Sequence, residues 1–427
     1  MVLKYNFAIR VITWVFFFLF LMFLFSYFNE LEYKNTLLML PGIVYLASCI
    51  MRDLTDARFM FFPVSVYYLI NVFYLDLNRL ALSVEYIVLF YFLLLIFHFF
   101  VSNRDFSINY LKGNAKLFSI KKTVFIFSLL IFVYFISIFL SYGRGRDSIA
   151  TILRVLVLGP IEIALYCLIF LLYAKKFIYG LYATIVFGLS SPFRIYIDTD
   201  VNRASIVYIV LMLLFGFFVY FLKVKRISSV FSIMLLLFIG AFVSYVDLNE
   251  SFVWSNSFGG DSLIVYSANE IINTFSKGNL SFEPFMMLHN YLMLIIPDGL
   301  WLFGDKPKAY NPSAWYLSNV MGVDPNVYQW GVGVSLIGSG YIYGGAIGVI
   351  TISFLVVFYI NYITKKMSDP LYTGMYVYFT IRLPYAVFRM DENFLLPIII
   401  FNTISVLFLL MLIKKYCVND RGEKHVF

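Results

Sequence analysis

Stretches of about 20 mostly uncharged apolar residues recur along this chain, the length a helix needs to cross the hydrocarbon core of a bilayer. No other feature restricts its possible folds so strongly. In hydrocarbon there is no water to satisfy backbone N–H and C=O groups. A spanning chain must satisfy them within a helix or between strands closed into a barrel. The runs here lack the alternation and the length of about ten residues that mark barrel strands. Composition points the same way. Of the 427 residues, 62% are hydrophobic and 13% are charged, whereas soluble domains hold about 45–50% apolar residues. The expected fold is all-α, a polytopic membrane protein of about twelve transmembrane helices with a large late loop.

The runs place spans near 8–28, 36–51, 59–76, 84–101, 123–142, 155–174, 177–192, 204–222, 227–246, 333–361, 371–388 and 394–413. The first has no small-residue cleavage site and is expected to stay as a span. Three parts follow: a nine-span bundle over 1–246, a loop over 247–332, and a three-span part with a tail over 333–427. Cys49, Cys167 and Cys417 offer no pair on an oxidising face, so no disulfide framework is expected.

Basic residues in short loops set orientation. With both termini in the cytoplasm, the inner loops and tail carry 20 of the 32 basic residues, and 14 of those 20 are lysine. They include Lys112, Lys116, Lys121 and Lys122, then Lys175 and Lys176, Lys365 and Lys366, and Lys414 and Lys415. The net charge of +8 is therefore an orientation signal and no sign of nucleic acid. Of the remaining 12, eight are arginine: Arg79, Arg144, Arg146, Arg154, Arg194, Arg203, Arg382 and Arg389. Lysine and arginine serve orientation equally, so a preference for arginine on the outer face needs another cause. Its planar fork grips phosphate or carboxylate through two bonds at once. Arg144, Arg146 and Arg154 follow the fifth span, Arg194 and Arg203 the seventh, and Arg389 the eleventh, with Arg382 deeper. As a set they suit an anionic group at the outer leaflet. Taken singly, each can instead snorkel to headgroups or pair with Asp147, Asp198, Asp200, Asp391 or Glu392.

The outer loop is too long to be structureless without a function. Within it, "DSLIVYSANEIINTF" sets Ile264, Ala268, Ile271, Ile272 and Phe275 at helical spacing and predicts an amphipathic helix. "FMMLHNYLMLII", between Pro284 and Pro297, is too short to cross and reads as interfacial or packed on the bundle. Trp315, Tyr316, Tyr328 and Trp330 have flat faces suited to stacking on sugars, and equally suit an interfacial aromatic belt. Glycines from Gly331 to Gly348 allow close backbone approach at the start of the tenth span.

The Asn-Pro-Ser and aromatic run at 311–316, followed by "GVGVSLIGSGYIYGG" opening a late glycine-rich span, resembles the O-antigen polymerase family, Wzy. "NRASIVYIV", with Arg203 ahead of an apolar run, is similar to that family's outer arginine segment. One departure stands out. Where many members carry glutamate in an S-x-x-G-E-x-Y pattern, Ser335, Gly338, Ser339, Gly340 and Tyr341 include none. The resemblance implies a GT-C-like glycosyltransferase of the bacterial inner membrane. Such an enzyme moves a glycan from undecaprenyl diphosphate onto the next lipid-linked repeat unit at the periplasmic face. Lipid-linked donor, lipid-linked acceptor, the bilayer and a chain-length regulator are the implied partners.

Arg203, Arg194 and Arg389 would meet the diphosphate, with Arg144, Arg146, Arg154 and Arg382 supporting them. Trp315, Tyr316, Tyr328, Trp330 and Tyr341 would contact the sugars. The base is open among Asp147, Asp198, Asp200, Glu283 and His289, with Asp200 and His289 favoured. Glu162 lies inside the sixth span and requires a partner, for which Arg382 is one candidate. No cofactor is implied. No metal site is expected, the Asp198–Asp200 pair being weak by itself. An O-antigen ligase, a flippase or transporter, and a scaffold for the glycan machinery remain alternative readings. A transporter would put charges near the midplane and show a two-fold repeat, whereas here most charges crowd the outer rim and no repeat is seen.

Overall fold

The computed structural model describes residues 82–101, 112, 114–141, 157–197, 254–278, 280–285, 289, 312–324, 334–366, 369–379, 387 and 403–418. The expected spans at 8–28, 36–51, 59–76, 204–222 and 227–246 lie outside them. The described residues are helical and contain no β-strand. Their named helices are α1 (Val84–Phe100), α2 (Ile120–Ser141), α3 (Gly159–Lys175), α4 (Phe177–Ile197), α5 (Trp254–Ser276), α6 (Pro312–Asn319), α7 (Leu336–Lys366) and α8 (Thr403–Cys417). A short helical segment at 373–379 precedes α8.

Local chemistry accounts for several boundaries. Ser83 caps α1, its Oγ accepting from Tyr86 N at 3.2 Å, and Glu85 places a negative charge in the first turn, where the helix dipole favours it. Pro160 sits at the start of α3, where its missing N–H costs nothing. At the other end Lys176 turns extended and passes the chain directly into α4. Gly180 admits the Tyr173 ring, since a Cβ there would lie 2.3 Å from Tyr173 Cγ. The Thr184 hydroxyl donates to Tyr173 Oη at 3.0 Å and ties the two helices across the turn.

Glu162 apart, α3 is apolar from Pro160 to Ala174, and each of these residues is buried, as a helix without a polar face requires. α2, α4, α8 and the 373–379 segment surround it. α2 is its opposite. It is long and apolar enough to cross a membrane, yet only 28% of that stretch is buried. Phe125, Leu129, Phe132, Ile136 and Phe139 recur at three- and four-residue steps and stand exposed. A core helix of a soluble protein would not leave such a stripe uncovered. Ile178, Tyr182, Ile185 and Leu189 repeat the pattern on α4, as do Ile404, Phe408 and Met411 on α8.

α7 departs from the single span expected over 333–361. Gly344 (φ −172°, ψ 30°) and Gly345 (φ 61°, ψ −146°) break it. A Cβ on Gly348 would lie 2.1 Å from Gly340 O. In a straight helix residues eight apart stand about 12 Å from each other, so the chain has folded back. The short limb runs from Leu336 to Tyr343, and the long limb from Ala346 to Lys366 is about 31 Å, enough to cross by itself. Gly345 has a backbone conformation open to glycine alone, and the Phe282 ring lies 3.1 Å from where its Cβ would stand. Gly345→Ala is expected to cost about 1–3 kcal/mol and to lower the unfolding midpoint in detergent; an unchanged midpoint would show that the reversal is not held in this conformation.

Hydrogen bonds between segments fix which ends meet. Ser119 N donates to Cys417 O at 2.8 Å, Phe118 bridges Val418, and Lys414 pairs with Asp369 at 2.8 Å. Asn361 Nδ2 reaches Phe100 O at 2.8 Å. The segments carrying Lys116, Lys121 and Lys122, Lys365 and Lys366, and Lys414 and Lys415 thus share one end of the bundle. The N-terminal ends of α1 and α7, with α5 and α6, lie at the other. α8 runs on to Cys417, so the expected helix end at 413 extends into the basic segment. Cys167 and Cys417 are both buried free thiols.

Candidate functional site

At the end away from the lysines, α1, α5, α6 and the short limb of α7 converge on a cluster of rings and carboxylates. α5 organises it. Ile264, Ala268, Ile271, Ile272 and Phe275 are all buried, so the amphipathic face expected for this helix is turned inward. Small side chains permit the approach: a Cβ on Gly338 would stand 3.3 Å from Ala268 Cα. Asn269, buried at 3% exposure, accepts from Ser83 N through Oδ1 at 2.7 Å and locks α5 to the start of α1.

Three carboxylates are held by aromatic donors. Glu270 accepts from Tyr266 through Oε1 at 2.6 Å and from Tyr316 through Oε2 at 3.1 Å. Glu85 accepts from the Tyr341 hydroxyl at 2.7 Å. Glu283 accepts from Trp315 Nε1 at 3.1 Å, while its backbone N–H donates to Ile342 O. Phe275 joins the groups. It stacks on Trp315 (5.5 Å, 2°) and on Phe282 (5.0 Å, 15°), and meets Tyr341 edge-on at 5.6 Å. Such ring pairs add about 0.5–1.5 kcal/mol each beyond burial.

The hydrogen bond to Glu270 holds the Tyr266 phenol above its ordinary value of 10.0, with burial and the carboxylate charge adding to it. Burial, then the Glu270 charge, raises Tyr316 likewise. A phenol kept neutral by the fold contributes stability that is complete below pH 10.0 and is lost as pH rises through the raised folded-state value. Glu270→Gln presents only one acceptor oxygen to two phenols and strands the other donor. It is expected to cost about 1–3 kcal/mol at neutral pH, and the deficit should shrink in alkali as the carboxylate's repulsion of phenolate disappears. Equal unfolding midpoints for variant and wild type would show that Glu270 does not hold the two tyrosines.

Of the residues expected to form a site, Trp315, Tyr316 and Tyr341 are brought together here. All three are buried, and the Trp315 ring is stacked on Phe275 rather than presented to solvent. His289 is exposed. Arg194 is in α4, its side chain outside the description. Arg144, Arg146, Arg154, Asp200, Arg203, Tyr328, Trp330, Arg382 and Arg389 lie outside the described residues. Glu162 is buried within α3, and Arg382, the partner considered for it, lies outside the described residues.

Glu85 and Glu270 were not singled out from sequence. For Glu270 a signal existed, because Tyr266 stands four residues before it on the same helical face. For Glu85 there was none, since its partner is 256 positions away. Among the described residues no group of histidine, cysteine, aspartate and glutamate side chains could hold a metal ion. Chemically, the exposed carboxylates of Glu85 and Glu283 are oriented by donors and reachable from solvent, the condition for taking a proton from a hydroxyl. Comparison with protein-family models, curated proteins and solved structures yields no match.

Proposed function

We propose that this chain is an inner-membrane glycosyltransferase that polymerises undecaprenyl-diphosphate-linked repeat units at the periplasmic face. The observation that carries the reading is the cluster of aromatic rings and donor-held carboxylates at the bundle end opposite the lysines, where the late loop meets the glycine-rich limb. The lysine end suits the cytoplasm, which leaves the cluster on the outer side, the side to which the charge pattern of the sequence assigns eight arginines. Exposed apolar stripes on α2, α4 and α8 suit a multi-pass protein surrounded by lipid.

In this reaction the bond between the anomeric carbon of the growing glycan and its phosphate oxygen breaks. The lipid diphosphate leaves with the electron pair, and the acceptor hydroxyl forms the new bond as its proton passes to a base. Arginines Arg194, Arg203 and Arg389 offset the charge that builds on the leaving diphosphate. Glu85 and Glu283 join Asp200 and His289 as candidate bases, and both are already oriented by hydrogen bonds.

The deciding experiment supplies purified protein with lipid-linked repeat units and reads the products on a gel. A ladder of increasing length is expected. Transfer solely to lipid A core would assign the chain as a ligase, and no transfer to either acceptor would leave transport as the better reading.

A further inference from the structure

Two of the uncovered apolar stripes lie side by side. α2 and α8 are joined at the lysine end, where Phe118 bridges Val418 and Ser119 N donates to Cys417 O at 2.8 Å. Each stripe ends there on an exposed lysine in its own helical register. On α2, Lys121 precedes Phe125 and Leu129 by four and eight residues, and on α8, Lys415 follows Met411 and Phe408 by four and seven. Lys122 stands at the seam between the two helices, its Nζ 5.6 Å from the centre of the Tyr416 ring.

The charge of these lysines is not balanced by the fold. Lys414 is paired with Asp369, and among the described residues no carboxylate pairs with Lys121, Lys122 or Lys415. Orientation in a membrane requires basic residues in the inner loops, but it does not require them to end exposed apolar stripes on two neighbouring helices. Three cations above such stripes call for a molecule with an anion at one end and hydrocarbon at the other. A free anion would leave the stripes uncovered. A zwitterionic headgroup would bring a cation of its own against the lysines. An anionic phospholipid meets both demands, with lysines for its phosphate and apolar side chains for its acyl chains.

We infer that the α2–α8 seam is a binding site for an anionic phospholipid, its phosphate held by Lys121, Lys122 and Lys415 and its acyl chains laid along the two stripes. The assignment rests on the multi-pass membrane reading and is independent of the transferase reading. Full-length protein purified in a non-ionic detergent is titrated with phosphatidylglycerol or with phosphatidylcholine of the same chain length, and bound lipid is read by native mass spectrometry. Wild type is expected to bind phosphatidylglycerol about tenfold more tightly, and Lys121→Gln/Lys122→Gln/Lys415→Gln to bind the two lipids alike. Lys176→Gln, at an exposed lysine that the charge pattern also assigns to the inner side, should keep the wild-type preference. Should the triple variant not be recovered folded, Lys415→Gln alone carries the test, with an expected loss of about fivefold. Equal affinities in wild type, a preference that survives in the lysine variant, or the same loss in Lys176→Gln would each overturn the inference. Displacement of phosphatidylglycerol by an equal concentration of glycerol 3-phosphate would show a site for the anion alone and overturn the lipid assignment. The two readings fail separately. Recovery of the chain from cells without detergent removes the membrane reading, whereas equal affinities in detergent-extracted protein remove the lipid site alone.

Discussion

Gly374→Val is expected to yield almost no folded protein. At this glycine the 373–379 segment touches the backbone of the central helix. A Cβ would stand 2.4 Å from both Cys167 Cα and Tyr166 O and 2.5 Å from Cys167 N. A flexible side chain can swing away from such an intrusion, but a helical backbone cannot. α3 has no free side to move toward, since it is buried from Pro160 to Ala174. Overpacking a tight interior costs about 1–3 kcal/mol and more when backbone must shift, a large fraction of the ~5–15 kcal/mol that separates folded from unfolded chains. In lipid the loss is not offset elsewhere, because helix association there relies on close packing rather than on expulsion of water. Size-exclusion chromatography of detergent-solubilised protein gives the readout. Gly344→Ala, which meets nothing within 4 Å and has an ordinary extended φ of −172°, is the control and should elute as wild type. Recovery of Gly374→Val at wild-type yield and midpoint would mean that the segment does not lie against α3.

Simultaneous replacement of Arg194, Arg203 and Arg389 by alanine is expected to abolish long-chain product while single repeat units accumulate on the lipid carrier. Breaking the bond to a diphosphate builds negative charge on the leaving oxygen, and donors fixed nearby stabilise that charge more than they stabilise the ground state. Loss of one such donor typically lowers turnover about 10²–10³-fold, so loss of three leaves no measurable chain growth. Lysine keeps the charge but loses the two-pronged geometry, so Arg203→Lys alone should also fail to make polymer. Cells carrying the triple variant at normal abundance are assayed for surface polymer and for lipid-linked single units. Long chains at wild-type level would remove the arginines from the mechanism and, with them, the diphosphate-transfer reading.

Much of the helical organisation was legible. The run read as 84–101 forms α1 over Val84–Phe100, and the run read as 177–192 begins where α4 begins. The loop helix and its five inward positions followed from spacing, because periodicity is a local property that each turn of helix enforces again. The reversal in α7 was not legible. "GSGYIYGGAIG" advertises close packing, but glycine serves both close packing and a left-handed turn, and only the tertiary structure separates Gly348, which lies against Gly340, from Gly345, which turns the chain. Nor did composition distinguish α2 from α3. Both are almost wholly apolar, and one stands largely exposed while the other is enclosed.

The amino-acid sequence by itself determined that this chain is helical, apolar enough for lipid and basic at particular turns, since backbone hydrogen bonding and charge placement act on neighbours along the chain. Only the tertiary structure decided that Glu85 meets Tyr341, that Tyr316 and Tyr266 share Glu270, and that Tyr343 is buried without a partner. All three depend on how distant segments pack. No periodicity records which two of many apolar surfaces will close on each other.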